Sequence, residues 1–401
     1  MIPVAEAIHI IKDQAERLPP ETVALEDALA RVLAEEVIAD SDLPPFDRAQ
    51  MDGYALRAAD TLSVPVRLRI VGEAAAGRGW HEQLKAGEAV RIMTGAPVPE
   101  GADSVQKIEV TNESANDGTV EIAEATRPGQ FIVKRASEIK AGAGVLHAGE
   151  TINAAMLAAL ASFGYARVRV GARPRVAVLA TGTELVPVND RPGPDQIRDS
   201  NSFSLGAYAE LAGARVERLP LVGDDPLLLQ REIEAAAARS DALILSGGVS
   251  MGVYDFTKTA LRALGAEIFF ERVRLRPGKP TVFARLGRTL VFGLPGNPVS
   301  VSVTFNLFAR TALRAMQGCT EPAMIEEWAL LSRGVKGSTE RASYLPAQLR
   351  TNRDGQLLAE PLRWGGSSDF VAFARAAALL IVPEGVKALE GGTRVRFVRL
   401  P

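Results

Sequence analysis

The residues best suited to chemistry stand in two short stretches, RPGKP at Arg276–Pro280 and LPGNPVS at Leu294–Ser300. The second joins an apolar, strand-like run, Thr289–Leu294, to a helix expected over Val299–Met316. Pro298 suits the first helical position, where its missing N–H costs nothing, and Asn297 is a good N-cap before it. Gly296 lets the backbone come close to a ligand at that helix start. A helix entered through such a loop offers free N–H groups and the positive end of its dipole to an anion. Arg276 and Lys279 add two cations and a second Gly/Pro turn just upstream. The pair of stretches points to phosphate or another oxyanion.

The surrounding pattern supplies the scaffold. RVAVLAT (175–181), VERLPLV (216–222), DALILSG (241–247) and EIFFERV (267–273) read as apolar strands, separated by helical segments at about 201–212, 226–239 and 256–264. That alternation predicts a multidomain α/β plus β protein with a doubly wound parallel α/β domain over 171–320. Ligands of such sheets sit beyond the carboxyl ends of the strands. Four loops leave those ends: Thr181–Leu185, Gly223–Pro226, Ser246–Asp255 and LPGNPVS. Gly247, Gly248 and Ser250 fall where backbone N–H groups could cradle a phosphate, while Glu184, Asp224, Asp225 and Asp255 share the loops.

Acids beside a bound anion would repel it by a few kcal/mol at an effective dielectric of ~20. A divalent cation removes the conflict, and carboxylates with substrate phosphates are how Mg²⁺ is usually held. The residues therefore predict a nucleotide-like or pyrophosphate ligand with Mg²⁺. Each acid also has a plainer reading. Asp224 or Asp225 before Pro226, and Asp255 before the next helix, could be helix caps worth ~1 kcal/mol. Asp52 beside Gly53 reads by itself first as a turn acid and only second as a site residue, and Thr94 before Gly95 carries the same ambiguity.

Elsewhere, Val4–Leu18 reads as a helix stopped by Pro19-Pro20, Leu25–Val37 as a second helix, and Asn153–Phe163 as an Ala/Leu helix ended by Gly164. Short β-like runs alternate with Gly/Pro/Asn turns from Val64 to Ile139. The predicted parts are a helical and linker domain at 1–24 and 140–170, a mostly β insert lobe at 25–139, the α/β domain at 171–320, and a small β domain at 321–401. Trp80, Trp328 and Trp364 read as packing residues. Lys+Arg 46 against Asp+Glu 48 in 401 residues gives no support for a nucleic-acid partner. The single Cys319 excludes an intramolecular disulfide, and His9, His81 and His147 share no metal-ligand spacing. No apolar run reaches the ~18 residues of a membrane span. The expectation is a soluble, cytoplasmic protein without a membrane partner.

Taken in order, PPFDRAQMDGYA (44–55), IMTGAPVPEGAD (92–103), TGTEL (181–185), DSN (199–201), SGGVSMG (246–252), RPGKP and LPGNPVS resemble the molybdopterin molybdenumtransferase family, MoeA in bacteria and the E domain of gephyrin. The resemblance covers essentially the full length. It implies an elongated homodimer of four-part subunits, with a molybdopterin-adenylyltransferase-like α/β domain and a C-terminal β-barrel. It also implies insertion of molybdenum from molybdate into adenylylated molybdopterin, with release of AMP and Mg²⁺ present. Carried over position by position, Asp52, Thr94, Glu184, Arg276 and Lys279 become catalytic. Gly247, Gly248, Ser250, Gly296, Asn297, Pro298, Ser300, Arg341 and Ser367 become substrate-binding, and Asp255, Asp224 and Glu184 become Mg²⁺ ligands. The family often has Lys where Arg276 stands, commonly Asp at Glu138, and often an acid at Val253. The preceding step, adenylylation of molybdopterin by ATP, is the rival reaction, and a catalytically silent scaffold is the rival of another class.

Overall fold

A computed structural model describes residues 1–114, 116–248 and 256–401. Ser250 and Asp255 lie outside the described residues. The chain forms two compact units, one of residues 1–35, 148–157 and 167–401, the other of residues 36–147 and 158–166.

In the first unit the expected strands form around a single sheet. They are β1 (Arg175–Ala180), β2 (Arg215–Arg218), β3 (Ala242–Ser246), β4 (Glu267–Phe270), β5 (Val282–Leu286) and β6 (Thr289–Leu294), in spatial order β2-β1-β3-β6-β5-β4. The four strands β2, β1, β3 and β6 are parallel. The other two, β5 and β4, join antiparallel, so the EIFFERV run is an edge strand of a mixed sheet. β2 stops at Arg218, short of the expected Val222, because Pro220 cannot donate to the ladder and only Thr181 and Val222 bridge beyond it. Central strands β3 and β6 are buried along their whole length, as continuous Val/Ile/Leu runs require when both faces are covered. Between β1 and β3 the chain direction of travel across the sheet reverses, which opens a crevice at the carboxyl ends of those two strands.

The helix after LPGNP runs from Pro298 to Met316 but is not regular, because Phe305–Ala309 form a π segment. Ser302, Thr304 and Asn306 turn their side chains back onto the carbonyls of Pro298, Ser300 and Ser302, which competes with the α ladder. The first helix ends at Gln14, four residues before the expected Leu18.

No helix forms over Leu25–Val37. Only Leu25–Asp27 make a 3-10 turn. The segment gives its backbone bonds to distant partners instead: Ala30 N–H to Ile152, Leu33 N–H to Glu150, and the Val32 carbonyl to Gly171 N–H. Arg31, 4% exposed, donates to Glu21 and to the Gly171 carbonyl at 2.8 Å, an arrangement no helix at this position could offer. Tertiary pairing overrides a favourable helix propensity here. The Ala154–Ser162 helix does form, with Asn153 accepting from Met156 N–H.

The C-terminal part of this unit is a closed five-stranded barrel. Ala342–Thr351 pairs with Leu357–Pro361, which pairs with Glu326–Leu331, then Arg394–Arg399, then Ala378–Val382, which returns to Ala342–Thr351. Closure leaves no open edge within the ring. One short strand from the α/β domain adds to it: Leu275 and Arg276 pair in parallel with Ala342 and Ser343. Trp328 is 51% exposed under the Arg394 guanidinium, so it is not the packing residue expected.

The second unit holds a six-stranded mixed sheet, in order Ser104–Lys107, Gly53–Leu56, Glu88–Ile92, Val66–Ala74, Thr119–Ile122 and Thr111–Ser114. Among the described residues no helix is long and apolar enough to cross a membrane.

Gly247 closes the turn after β3 at φ 98°, and a Cβ there would stand 2.3 Å from the Thr181 carbonyl oxygen. Gly247→Ala should therefore cost about 1–3 kcal/mol through backbone strain and forced separation of two loops. A thermal unfolding midpoint equal to that of the parent would show that the turn does not need glycine.

Candidate active site

The pairing of Leu275–Arg276 with Ala342–Ser343 carries the RPGKP turn from the α/β domain to the barrel. Arg341 immediately precedes that pair, so Arg276 and Arg341 arrive at the same place from separate elements. They open onto a cavity of about 820 Å³ whose wall includes Arg276, Lys279, Asn297, Ser300, Arg341 and Ser367. Six expected site residues thus converge. The wall also includes Arg333, Lys336 and Arg363, which sequence reasoning missed. These three lie in barrel segments without a motif, and only barrel closure turns them to a common space.

Six cations line this cavity and no acid does, among the described residues. Arg276 rests on the Gly337 carbonyl at 3.2 Å and Arg333 on the Pro361 carbonyl. The side chains of Lys279, Lys336, Arg341 and Arg363 have no hydrogen-bond or ion-pair partner among the described residues. A concave, acid-free wall with several uncompensated cations focuses positive potential and concentrates anions.

The helix start behaves differently from expectation. Asn297 occupies the N-cap position but makes no capping bond. Its Nδ2 donates to Ser367 Oγ at 2.9 Å, and Val299 N–H donates to the Ser367 carbonyl at 3.0 Å. A barrel loop therefore satisfies one of the first-turn N–H groups in place of a cap. Ser367 is itself held by its loop, since Asp369 accepts from Gly365 and Ala372 N–H groups and donates its own N–H to Gly366. Those two bonds hold the Asp369 carboxyl below the usual carboxylate range and commit its charge to its own turn.

On the other side of the LPGNP loop lie the strand-end loops at the β1/β3 crevice. Gly247 N–H donates to the Leu294 carbonyl at 3.2 Å, and a Cβ on Gly296 would stand 3.8 Å from Gly247 Cα. Asn201, in the DSN motif to which no role was given, staples the loops by donating to Ser246 Oγ at 2.8 Å and to the Gly296 carbonyl at 2.7 Å. The two readings of GDDP separate cleanly. Asp225 caps the following helix, accepting from Leu227 and Leu228 N–H groups, and Asp224 faces the TGTE loop. Thr183 N–H and hydroxyl both donate to Asp224 Oδ2, and Oδ1 has no hydrogen-bond partner among the described residues. Glu184 folds back over the same turn, so close that a Cβ on Gly182 would meet its carboxylate at 2.4 Å. The Thr181 hydroxyl and the Asn201 Oδ1 are buried without a partner among the described residues.

Among the described residues no three His, Cys, Asp or Glu side chains gather closely enough to hold a metal ion. Glu184 and Asp224 are hard oxygen donors on adjoining loops, and Mg²⁺ usually takes one or two carboxylates with substrate phosphates, so this pair fits it. Pro298 opens the helix but does not line the cavity.

Asp52 and Thr94 form a pair of their own in the second unit. Asp52 Oδ1 accepts from Thr94 N–H at 2.6 Å and from its hydroxyl at 2.7 Å. These bonds hold the Asp52 carboxyl below its ordinary value. Their stabilisation is present at neutral pH and is lost as pH falls through that lowered pKa. Thr94→Val removes the hydroxyl, and the Asp52 titration followed by NMR should move up toward the ordinary carboxylate range. An unmoved titration would mean that the hydroxyl bond does not form.

Fold and site together define a protein built from a doubly wound α/β domain and a β-barrel, with a cation-lined cavity where the two meet. Residues 177–315 match the family described as probable molybdopterin binding domain, residues 2–164 the MoeA N-terminal region (domain I and II), and residues 329–400 the MoeA C-terminal region (domain IV). The chain belongs to the MoeA family of molybdopterin molybdenumtransferases, enzymes of molybdenum cofactor biosynthesis. It is 36% identical to the molybdopterin molybdenumtransferase of Bacillus subtilis over 99% of this chain and 94% of that one. Its counterpart in Staphylococcus aureus strain COL is 34% identical over 99% and 95%. A crystal structure of a MoeA protein from Pyrococcus horikoshii matches with a TM-score of 0.80 at 31% identity, covering 100% of this chain and 99% of that one.

Proposed function

We propose that this chain transfers molybdenum from molybdate to adenylylated molybdopterin and releases AMP in a Mg²⁺-dependent reaction. The observation that carries this reading is the cavity with six lining cations and no lining acid, among the described residues. A tetrahedral dianion suits that wall. Lys279 and Arg341 supply charge, Arg276 supplies a planar guanidinium already steadied on Gly337, and Ser367 and Ser300 supply hydroxyl donors.

Gly247, Gly248 and Gly296 let the backbone approach the pyrophosphate of the nucleotide closely, beside the positive end of the helix that starts at Pro298. Glu184 and Asp224, with Asp255, would hold Mg²⁺, which when bound neutralises phosphate charge and polarises the phosphoanhydride. No protein nucleophile is required. The residues bind two anionic partners side by side, hold them in register, and offset the charge that otherwise drives them apart. Asp52, kept ionised by Thr94, is a further catalytic carboxylate, and the working form is a cytoplasmic homodimer.

Lys279→Ala removes one charged contact worth ~1.5–3 kcal/mol, so molybdate-dependent AMP release should fall about tenfold or more. Full AMP release by the folded variant would remove Lys279 from the reaction. AMP formed equally well without molybdate would refute the transfer reading itself.

A further inference from the structure

The DSN motif opens the Asn201–Leu211 helix and turns the Asn201 side chain inward, where the residue is 9% exposed. Its place is fixed locally. Asp199 accepts from the Ser202 N–H at 3.0 Å and from the Ser202 hydroxyl, and Ser204 Oγ donates to the Asn201 carbonyl at 3.1 Å. Ahead of Asn201 lie the ends of two neighbouring strands. β3 and β6 run in parallel register, so Ser246 and Leu294 stand side by side where their ladder stops. Gly247 N–H adds one bond to the Leu294 carbonyl at 3.2 Å, and beyond it the two chains part. Asn201 joins them again, since its Nδ2 donates to Ser246 Oγ at 2.8 Å and to the Gly296 carbonyl at 2.7 Å. Both amide hydrogens are then committed, and Oδ1 is buried with no partner among the described residues. A flipped amide would set Oδ1 against the Gly296 carbonyl, acceptor against acceptor, so that contact fixes the orientation. A buried acceptor without a donor lowers stability, and an apolar side chain would avoid the loss, so stability alone does not explain an asparagine here.

We propose that Asn201 is a positioning residue for molybdenum transfer, setting the distance between the β1/β3 crevice and the cation-lined cavity. Gly296, its acceptor, is followed by Asn297, whose Nδ2 donates to Ser367 Oγ at 2.9 Å on the barrel side. Two neighbouring residues of one turn are thus held from opposite sides, Gly296 by Asn201 and Asn297 by Ser367. Asn201 does not itself line the cavity. Without its amide each half keeps its own groups: the cations stay on the RPGKP turn and the barrel, and Gly247 and Gly248 keep their turn. What is lost is the spacing between two bound reactants, and a misplacement of about 1 Å can cost about a hundredfold in rate. Binding of either partner alone makes little use of that spacing, so the loss falls on kcat.

The inference rests on the transfer reading, and one set of measurements on the full chain separates the two. AMP release from adenylylated molybdopterin is followed at varied molybdate for the parent and for Asn201→Ala. Binding of molybdate alone and of AMP alone is measured by calorimetry. In Asn201→Ala, kcat should fall about tenfold or more while KM for molybdate stays within about twofold. Each separate binding constant should also stay within about twofold of the parent, since no group that touches either ligand is removed. The thermal midpoint should not fall with the activity, because the unmatched Oδ1 leaves with the amide. A merely structural residue would lower rate, affinity and midpoint together. Should Asn201→Ala fail to fold, Asn201→Ser takes its place, with a side chain one bond too short to reach both partners.

A parent-like kcat in the folded variant would overturn the role of Asn201. So would a loss of molybdate or AMP binding in proportion to the loss of rate, or unfolding of both variants. Failure of the parent itself to release AMP, or release equal with and without molybdate, would instead refute the transfer reading.

Discussion

Two backbone pairs, Leu275 with Ala342 and Arg276 with Ser343, hold the candidate site in one piece. They are the point at which the α/β domain lends a strand to the barrel. Without them Arg276 and Lys279 would belong to one domain and Arg341, Lys336, Arg363 and Ser367 to another. The contact must also resist a force of the site's own making. The six cations around the cavity repel one another, the more strongly the less water lies between them. A closed barrel and a sheet buried on both faces are stiff enough to hold such a cluster ready, so that an arriving anion relieves a repulsion rather than ordering a loop.

The opposite charges stand on either side of the LPGNPVS turn. Glu184 and Asp224 stand on the strand-end loops at the β1/β3 crevice, and the cations stand on the barrel side. The Leu294–Ser300 turn lies between, touching Gly247 on one flank and Ser367 on the other. If acids and cations faced one cavity they would neutralise each other in salt bridges and leave nothing for a ligand. The fold instead spends its ion pairs elsewhere, as in Arg175 with Asp241 and Arg399 with Glu327.

Much of this was legible before the fold was known, for identifiable reasons. Apolar runs of the right length marked β1, β3 and β6, and their carboxyl ends marked the loops. The Val282–Leu286 strand was overlooked, although Gly287 and Arg288 between it and β6 form the two-residue turn of a hairpin, with Gly287 at φ 59°. Asn297 was misjudged because capping is a local expectation, and its actual partner lies 70 residues away. The helix expected over Leu25–Val37 failed for the same kind of reason, since Arg31 answers to Glu21 and Gly171 rather than to its neighbours. Lys336 and Arg363 carried no local signal, because their meaning depends on a ring of strands closing.

The first unit is discontinuous, and this bears on how the chain is made. Residues 30–33 take their backbone partners from residues 149–152 and 171, and Ile2 donates to Arg272. At a synthesis rate of about 5–20 residues per second, the leading segment emerges on the order of ten seconds before its first partners exist. The sheet of residues 53–122 can close during that interval from strands already present. The N-terminus is thus the first part of the unit to leave the ribosome and among the last to be secured. It spends the wait as an exposed amphipathic segment that depends on an inserted neighbour folding promptly in its place.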